Sequence, residues 1–273
     1  MQNDDILPRF ERWLLSSDRA DGTVSLRMRH VRMLARRVTL TLAEQDHITT
    51  ALAECRHMAK NTRHSILSSW KLFYRWAAAS KLVMHDPTVL VEQFRVPDRA
   101  PRVAPDRDIE VALLGCDAQQ RAMVMLARYA CLRLTELTTL HMRERQGDRL
   151  RIVGKGDKER FVYINAELAA ALDALERTQP HGFYFPGRFD PSKPMHQQSV
   201  NKIITRVTGW NPHSLRHAGA TAAYLATRDL ESVRKMLGHA NISTTQRYLH
   251  VDEDSMRAIA AATLIRPRRS LAA

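Results

Sequence analysis

His213-Ser214-Leu215-Arg216-His217-Ala218-Gly219-Ala220-Thr221-Ala222 is followed downstream by Leu237-Gly238-His239-Ala240-Asn241-Ile242-Ser243-Thr244-Thr245-Gln246-Arg247-Tyr248. An isolated tyrosine carries no information. A tyrosine that ends a Gly-His segment, with His-x-x-Arg-His upstream, brings together a nucleophile, proton-handling imidazoles and a guanidinium. Those are the groups that attack on a phosphodiester requires.

Two further segments lie upstream. In Gly154-Lys155-Gly156-Asp157-Lys158-Glu159-Arg160 two glycines allow a tight turn, and the flanks Arg149 to Val153 and Arg160 to Ile164 alternate like strands. Lys155 is therefore predicted at a hairpin tip. Earlier, Ala130-Cys131-Leu132-Arg133-Leu134-Thr135-Glu136-Leu137 sets an acidic residue three positions after an arginine. With these four segments in this order, from about residue 130 to 250, the chain resembles the tyrosine recombinases, the lambda-integrase family. One such motif is weak evidence, and four in order are strong. Departures from the pattern are local. Cys131 stands where many members have glycine and Tyr163 where many have proline, while Ala218-Gly219-Ala220 replaces bulkier residues. None removes a reactive group.

The chemistry explains the residue types. Attack on a phosphodiester builds a five-coordinate phosphorus with added negative charge, which must be held while one oxygen arrives in line and another departs. Arg133 and Arg216 suit this task, because a guanidinium stays charged and offers paired donors to two phosphate oxygens. At neutral pH only about one phenol in a thousand is ionised, so a free Tyr248 phenolate costs roughly 4 kcal/mol. The resemblance implies His213 as the general base for that proton and His239 as a hydrogen-bonding partner of phosphate or phenol. The departing 5'-oxygen needs an acid. Lys155 can supply it, with Lys158 on the same turn as the fallback. Glu136 is expected behind Arg133, holding its guanidinium or nearby amides, though a first-turn helix carboxylate has the same spacing.

No metal or cofactor is expected. His213 and His217 have i, i+4 spacing, but Ser214 stands where a zincin needs glutamate. Gly154-Lys155-Gly156 joins two strands rather than a strand and a helix, so it is no Walker loop. A phosphotyrosyl bond conserves the energy of the broken phosphodiester, so ATP is not required.

Composition points to the partner. The 273 residues carry 42 Lys and Arg against 29 Asp and Glu, a net charge of +13, and a pI near 10.2. Such a surplus favours an anionic polymer, most simply nucleic acid. The three cysteines, Cys55, Cys116 and Cys131, are odd in number and widely spaced. They fit neither a disulfide framework nor a zinc ribbon, which favours a reducing cytoplasmic setting. No apolar run approaches the ~18 residues of a membrane span.

Apolar residues at helical spacing predict four helices over residues 1–91: Ile6, Phe10, Trp13 and Leu14; Val24, Met28, Val31, Leu34 and Val38; Ile48, Leu52 and Cys55; Ile66, Leu67, Trp70, Phe73, Tyr74 and Ala77. Asn61 is the expected cap of the fourth. Arg27, Arg29, Arg32 and Arg36 on the second helix, with Arg63, Lys71 and Arg75 on the fourth, fall off the apolar stripes. Singly each is a solvated charge. As a set we expect Arg27, Arg29, Arg36, Arg63, Lys71 and Arg75 to bind DNA phosphates and a groove. Pro97, Pro101 and Pro105 mark residues 92–105 as a linker. Residues 106–273 form the expected catalytic domain, ending in a basic tail, Arg266-Pro267-Arg268-Arg269, that either docks on a neighbouring protomer or frays.

The expected architecture is thus mainly α, with an N-terminal four-helix core-binding bundle and a mostly helical catalytic domain that holds a small β-hairpin or sheet. The resemblance implies a site-specific recombinase that joins Tyr248 to a 3'-phosphate. Its implied partners are double-stranded core-type sites, a homo-tetramer on DNA and, optionally, a directionality factor. Because the bundle begins within the first ten residues, no arm-binding domain is expected. Two rivals share the fold: a type IB topoisomerase, and a catalytically silent DNA-binding regulator.

Overall fold

Apolar spacing builds the first four helices, α1 (Asn3–Ser16), α2 (Asp21–Ala35), α3 (Gln45–Glu54) and α4 (Lys60–Ala79). The computed structural model describes residues 2–94, 96, 102–154, 159–179 and 181–238. The chain divides into two compact units, Met1–Arg99 and Ala100–Ala273.

In the first unit Phe10, Trp70, Phe73 and Tyr74 are fully buried at the centre of the helical bundle. Phe10 meets Phe73 edge to face with ring centroids 5.1 Å apart, the arrangement the ring quadrupoles favour. Buried polar atoms are satisfied across helices. Trp70 Nε1 donates to the His30 carbonyl at 2.8 Å and the Tyr74 hydroxyl to that of Leu40 at 3.2 Å. Asn3 ties down the end of α2 by donating to the carbonyls of Ala35 and Val38 and accepting from the amide of Leu40. The expected Asn61 cap is corrected: α4 starts two residues earlier than that cap would place it, with Ala59 at its N-cap and no side-chain capping bond. Residues 59–62 are exposed, so water can satisfy the free first-turn amides.

The second unit contains α5 (Asp106–Gly115), α6 (Ala118–Arg128), α7 (Leu134–Thr138), β1 (Arg145–Gln146), β2 (Arg149–Val153), β3 (Glu159–Tyr163), α8 (Ala166–Thr178), α9 (Gln197–Thr208), α10 (Pro212–Thr227) and α11 (Leu230–Leu237). Helix α6 is its axis. Every residue from Ala122 to Ala127 is buried, because α8, α9 and α10 pack around it. The predicted hairpin is β2 and β3, paired antiparallel with Leu150 opposite Val162 and Ile152 opposite Arg160. The strand β1 extends it to a sheet of order β1-β2-β3. At two residues β1 is too short to show alternation in the sequence. Leu150, Ile152 and Val162 face the core. No helix among the described residues is long and apolar enough to cross a membrane.

The turns that position the site are locally encoded. Asn211 caps α10 by accepting from the Ser214 amide at 3.0 Å, and Pro212 occupies the first turn, where its missing N–H costs nothing. Gly238 ends α11 at φ 62°, a conformation open to glycine.

Candidate active site

The site is built around one carboxylate. Glu136, in the first turn of α7, has a side chain only 4% exposed and meets three guanidinium groups. Arg160 clamps it from β3, with Nη1 on Oε1 at 2.9 Å and Nη2 on Oε2 at 2.8 Å. Arg133 donates its backbone N–H to Oε2 and its Nη1 to Oε1, both at 2.8 Å. Arg216 stands 3.8 Å away. Burial by itself would raise the Glu136 carboxyl, but the Arg160 clamp and the Arg133 bonds outweigh it and hold the pKa at about 2.

The guanidiniums are also fixed by backbone. Arg133 Nη2 donates to the Gly238 carbonyl at 3.0 Å and Arg216 Nη2 to that of Leu237 at 2.7 Å, while Arg216 Nη1 donates to the Cys131 carbonyl. The last carbonyls of α11 thus take both arginines, as the negative end of a helix favours. Three cations around one anion leave net positive charge in a largely dry pocket. Arg133 remains a third exposed. Such a pocket is suited to an oxyanion.

His213, in the first turn of α10, opens to solvent beside this pocket. Desolvation first, then the positive charges of Arg216 and Arg133, lower its pKa. Its neutral form, the one able to accept a proton, therefore persists to lower pH than for a free imidazole. His217 lies a turn further along α10, and among the described residues no His, Cys, Asp or Glu cluster could hold a metal.

Glu136, Arg133, Arg216 and His213 therefore lie together. Lys155, its fallback Lys158, His239, Tyr248 and the basic tail lie outside the described residues. Sequence reasoning gave Arg160 no role, although it fills an inward position on β3 beside Val162. An arginine on the core-facing side of a strand was the readable sign. Its Nε also donates to the Met236 carbonyl at 2.9 Å, so one side chain ties the hairpin to α7 and α11.

The basic residues of the first unit are held differently. Arg27 is partly buried and donates from Nη1 to Ser69 Oγ at 3.0 Å. Ser69 gives its own proton to the Ser65 carbonyl and stands 2.8 Å from His30 Nδ1. That nitrogen must therefore be the donor. Desolvation, then Arg19, lowers the Arg27 pKa. Arg63 covers the Phe94 ring at 5.2 Å. Arg29, Arg36 and Arg75 are exposed and Lys71 is half-buried. Arg32 pairs with Glu11 at 3.3 Å.

The fold is a mainly helical domain that gathers three arginines about one buried carboxylate. Comparison with known proteins makes the class specific. Residues 112–255 match the model of the phage integrase family. Tyrosine recombinase XerD from Pseudomonas putida is 34% identical over 231 residues, covering 76% of this chain and 76% of that protein. Tyrosine recombinase XerC from Lactobacillus delbrueckii subsp. bulgaricus is 30% identical over 234 residues, covering 77% and 79%. Lambda integrase (75-356), solved as a dimer bound to a COC' core site, shares the fold with a TM-score of 0.75 at 16% identity, covering 91% of this chain and 95% of that one. The XerH site-specific recombinase bound to difH substrate gives 0.67 at 17%, covering 87% and 79%. The chain belongs to the phage integrase family of tyrosine recombinases.

Proposed function

We propose that this chain is a site-specific DNA strand transferase that serves integration and excision of a phage or other mobile element. The observation that carries the reading is the pocket in which Arg133 and Arg216 are braced around Glu136 with His213 at its edge. Its excess positive charge supports binding of the scissile phosphate there. In the reaction, Tyr248 Oη attacks phosphorus, the bond from phosphorus to the 5'-oxygen breaks, and a 3'-phosphotyrosyl link forms. His213, whose pKa is lowered by desolvation and by Arg216 and Arg133, takes the phenol proton. Lys155 gives a proton to the departing 5'-oxygen, and His239 hydrogen-bonds the phosphate. A 5'-hydroxyl from a partner strand then attacks the link and releases the tyrosine.

The partner is duplex DNA at core-type sites, with Arg27, Arg29, Arg36, Arg63, Lys71 and Arg75 meeting it from the first unit. Exchange between two duplexes needs several protomers, and lambda integrase has been solved as a tetramer bound to a Holliday junction. A homo-tetramer on DNA is the corresponding assembly here. The deciding experiment is sequencing of covalent protein–DNA adducts from cells that express the chain, with Tyr248→Phe alongside. Sharp peaks that vanish in Tyr248→Phe are expected. Scattered peaks would favour a topoisomerase, and peaks seen only in native pulldown would leave a DNA-binding protein that does not cut.

A further inference from the structure

We infer that Cys131 and Gly219 are a matched pair of positioning residues: the thiol of one and the missing side chain of the other set where α10 lies against the end of α6, and so where the Arg216 guanidinium stands. The kinetic consequence rests on the strand-transfer reading above, while the contact itself belongs to the fold.

Cys131 has φ 51°, the left-handed region that non-glycine residues seldom occupy. It turns the chain from α6 towards α7, and its carbonyl accepts from Arg216 Nη1. One turn beyond Arg216 on α10 is Gly219. A Cβ there would stand 2.0 Å from the Arg128 carbonyl oxygen, 2.5 Å from Cys131 Sγ and 3.1 Å from the Arg128 carbonyl carbon. No carbon tolerates such distances, so α10 holds this position only because residue 219 has no side chain. The Cys131 thiol lies against the same space. Burial pushes its pKa up to about 11, and as a thiol it donates to the Arg128 carbonyl at 3.6 Å. Replacing it with glycine removes the 2.5 Å neighbour and the hydrogen bond to that carbonyl, and leaves the carbonyl itself in place.

The surroundings make the pair more than packing. Cys131, Ala220, Val233 and Leu237 form a small apolar cluster separate from the main core of this unit. The carbonyls of two of its members, Cys131 and Leu237, are the acceptors of the Arg216 guanidinium. A shift of α10 against this cluster therefore changes the geometry at Arg216, while Leu215 and Ala218 of the same helix hold α10 to the main core.

The test is a double-mutant cycle in the full chain with Gly219→Ala, Cys131→Gly and both together. Gly219→Ala should slow single-turnover cleavage of a duplex carrying the mapped adduct site by about 10-fold or more, since a misplacement of an ångström suffices, while DNA affinity changes little. Adding Cys131→Gly should restore part of the rate and of the thermal midpoint beyond what Cys131→Gly adds by itself, the non-additivity expected of touching residues. A methylphosphonate at the scissile position removes the charge that Arg216 meets, so the Gly219→Ala deficit should narrow there. A double variant no better than Gly219→Ala in rate and midpoint overturns the pair, and an unchanged deficit on methylphosphonate overturns its action through Arg216. If Gly219→Ala does not fold, folding of the double variant supports the pair and failure of both overturns it. If the parent forms no Tyr248 adduct, the strand-transfer reading fails by itself. The unfolding cycle then decides the contact, with coupled midpoints supporting it and additive ones overturning it.

Discussion

Arg27 and Arg63 of the first unit and the arginines around Glu136 carry the same charge but are held in opposite ways. Arg27 leans on the neutral hydroxyl of Ser69, and Arg63 on the ring of Phe94. Arg133 and Arg160 are hydrogen-bonded to a buried carboxylate, and Arg216 is locked by two backbone carbonyls. A guanidinium held by a neutral acceptor keeps its full charge for long-range attraction and can adjust to a duplex. One fixed by a carboxylate and helix-end carbonyls has lost that freedom and is held in place before any anion arrives. Steering and affinity suit the first arrangement. Transition-state stabilisation, which penalises reorganisation, suits the second.

The largest expected effect separates the two directly. Arg216→Ala should lower single-turnover cleavage by about 10²- to 10³-fold, the scale for losing a preorganised donor, with DNA binding nearly unchanged. Arg27→Ala should leave cleavage of bound DNA nearly unchanged and weaken binding only, and equal effects on cleavage of bound DNA would break the distinction.

Next is the carboxylate. Its folded pKa of about 2 lies below the ordinary 4.5, a shift worth on the order of 3 kcal/mol. A depressed pKa stabilises the fold above the unfolded value, and that contribution is lost as pH falls from about 4.5 through about 2. Glu136→Gln should therefore destabilise the chain most at neutral pH, and the gap to the parent should close in acid. Denaturant unfolding across that range tests it, and a gap independent of pH would remove the charge from the explanation.

Arg160→Lys keeps the charge but loses the two-pronged clamp. It should cost about 1–3 kcal/mol of stability, the scale of a broken charged hydrogen bond, and slow cleavage through the hairpin that Arg160 anchors. A variant with parent stability and rate would leave Glu136 organised by Arg133 alone.

The smallest effects belong to the first unit. Arg27→Ala should weaken binding a few-fold and reduce the slope of log affinity against log salt by about one. Ser69→Ala, which removes the acceptor and leaves the charge, should change affinity less than Arg27→Ala and the slope not at all. A changed slope would mean that the hydroxyl sets charge rather than direction.

Much of this was legible in the chain. Helical spacing of Ile6, Phe10 and Leu14 and of Ile66, Trp70 and Phe73 announced two bundle helices, and all six are buried. Alternation about Gly154 announced β2 and β3. Of the residues expected at the site, Arg133, Glu136, Arg216 and His213 were named from their motifs and the family resemblance, and they lie together. Arg160 was passed over because its partner Met236 is 76 positions away. Asn61 was misread as a cap because the choice between neighbouring helix starts depends on solvent access, which spacing does not encode.

Amino-acid order alone therefore determined where most helices and the hairpin strands form and which segments match the family's motifs, since propensity and periodicity act over a few residues. Tertiary structure decided which carbonyl receives each guanidinium, as with Arg133 and Gly238, 105 positions apart. It also decided that Cys131 and Gly219 share one space. Such pairings depend on how helices seat against each other, and that is settled only when distant apolar faces close over a common core.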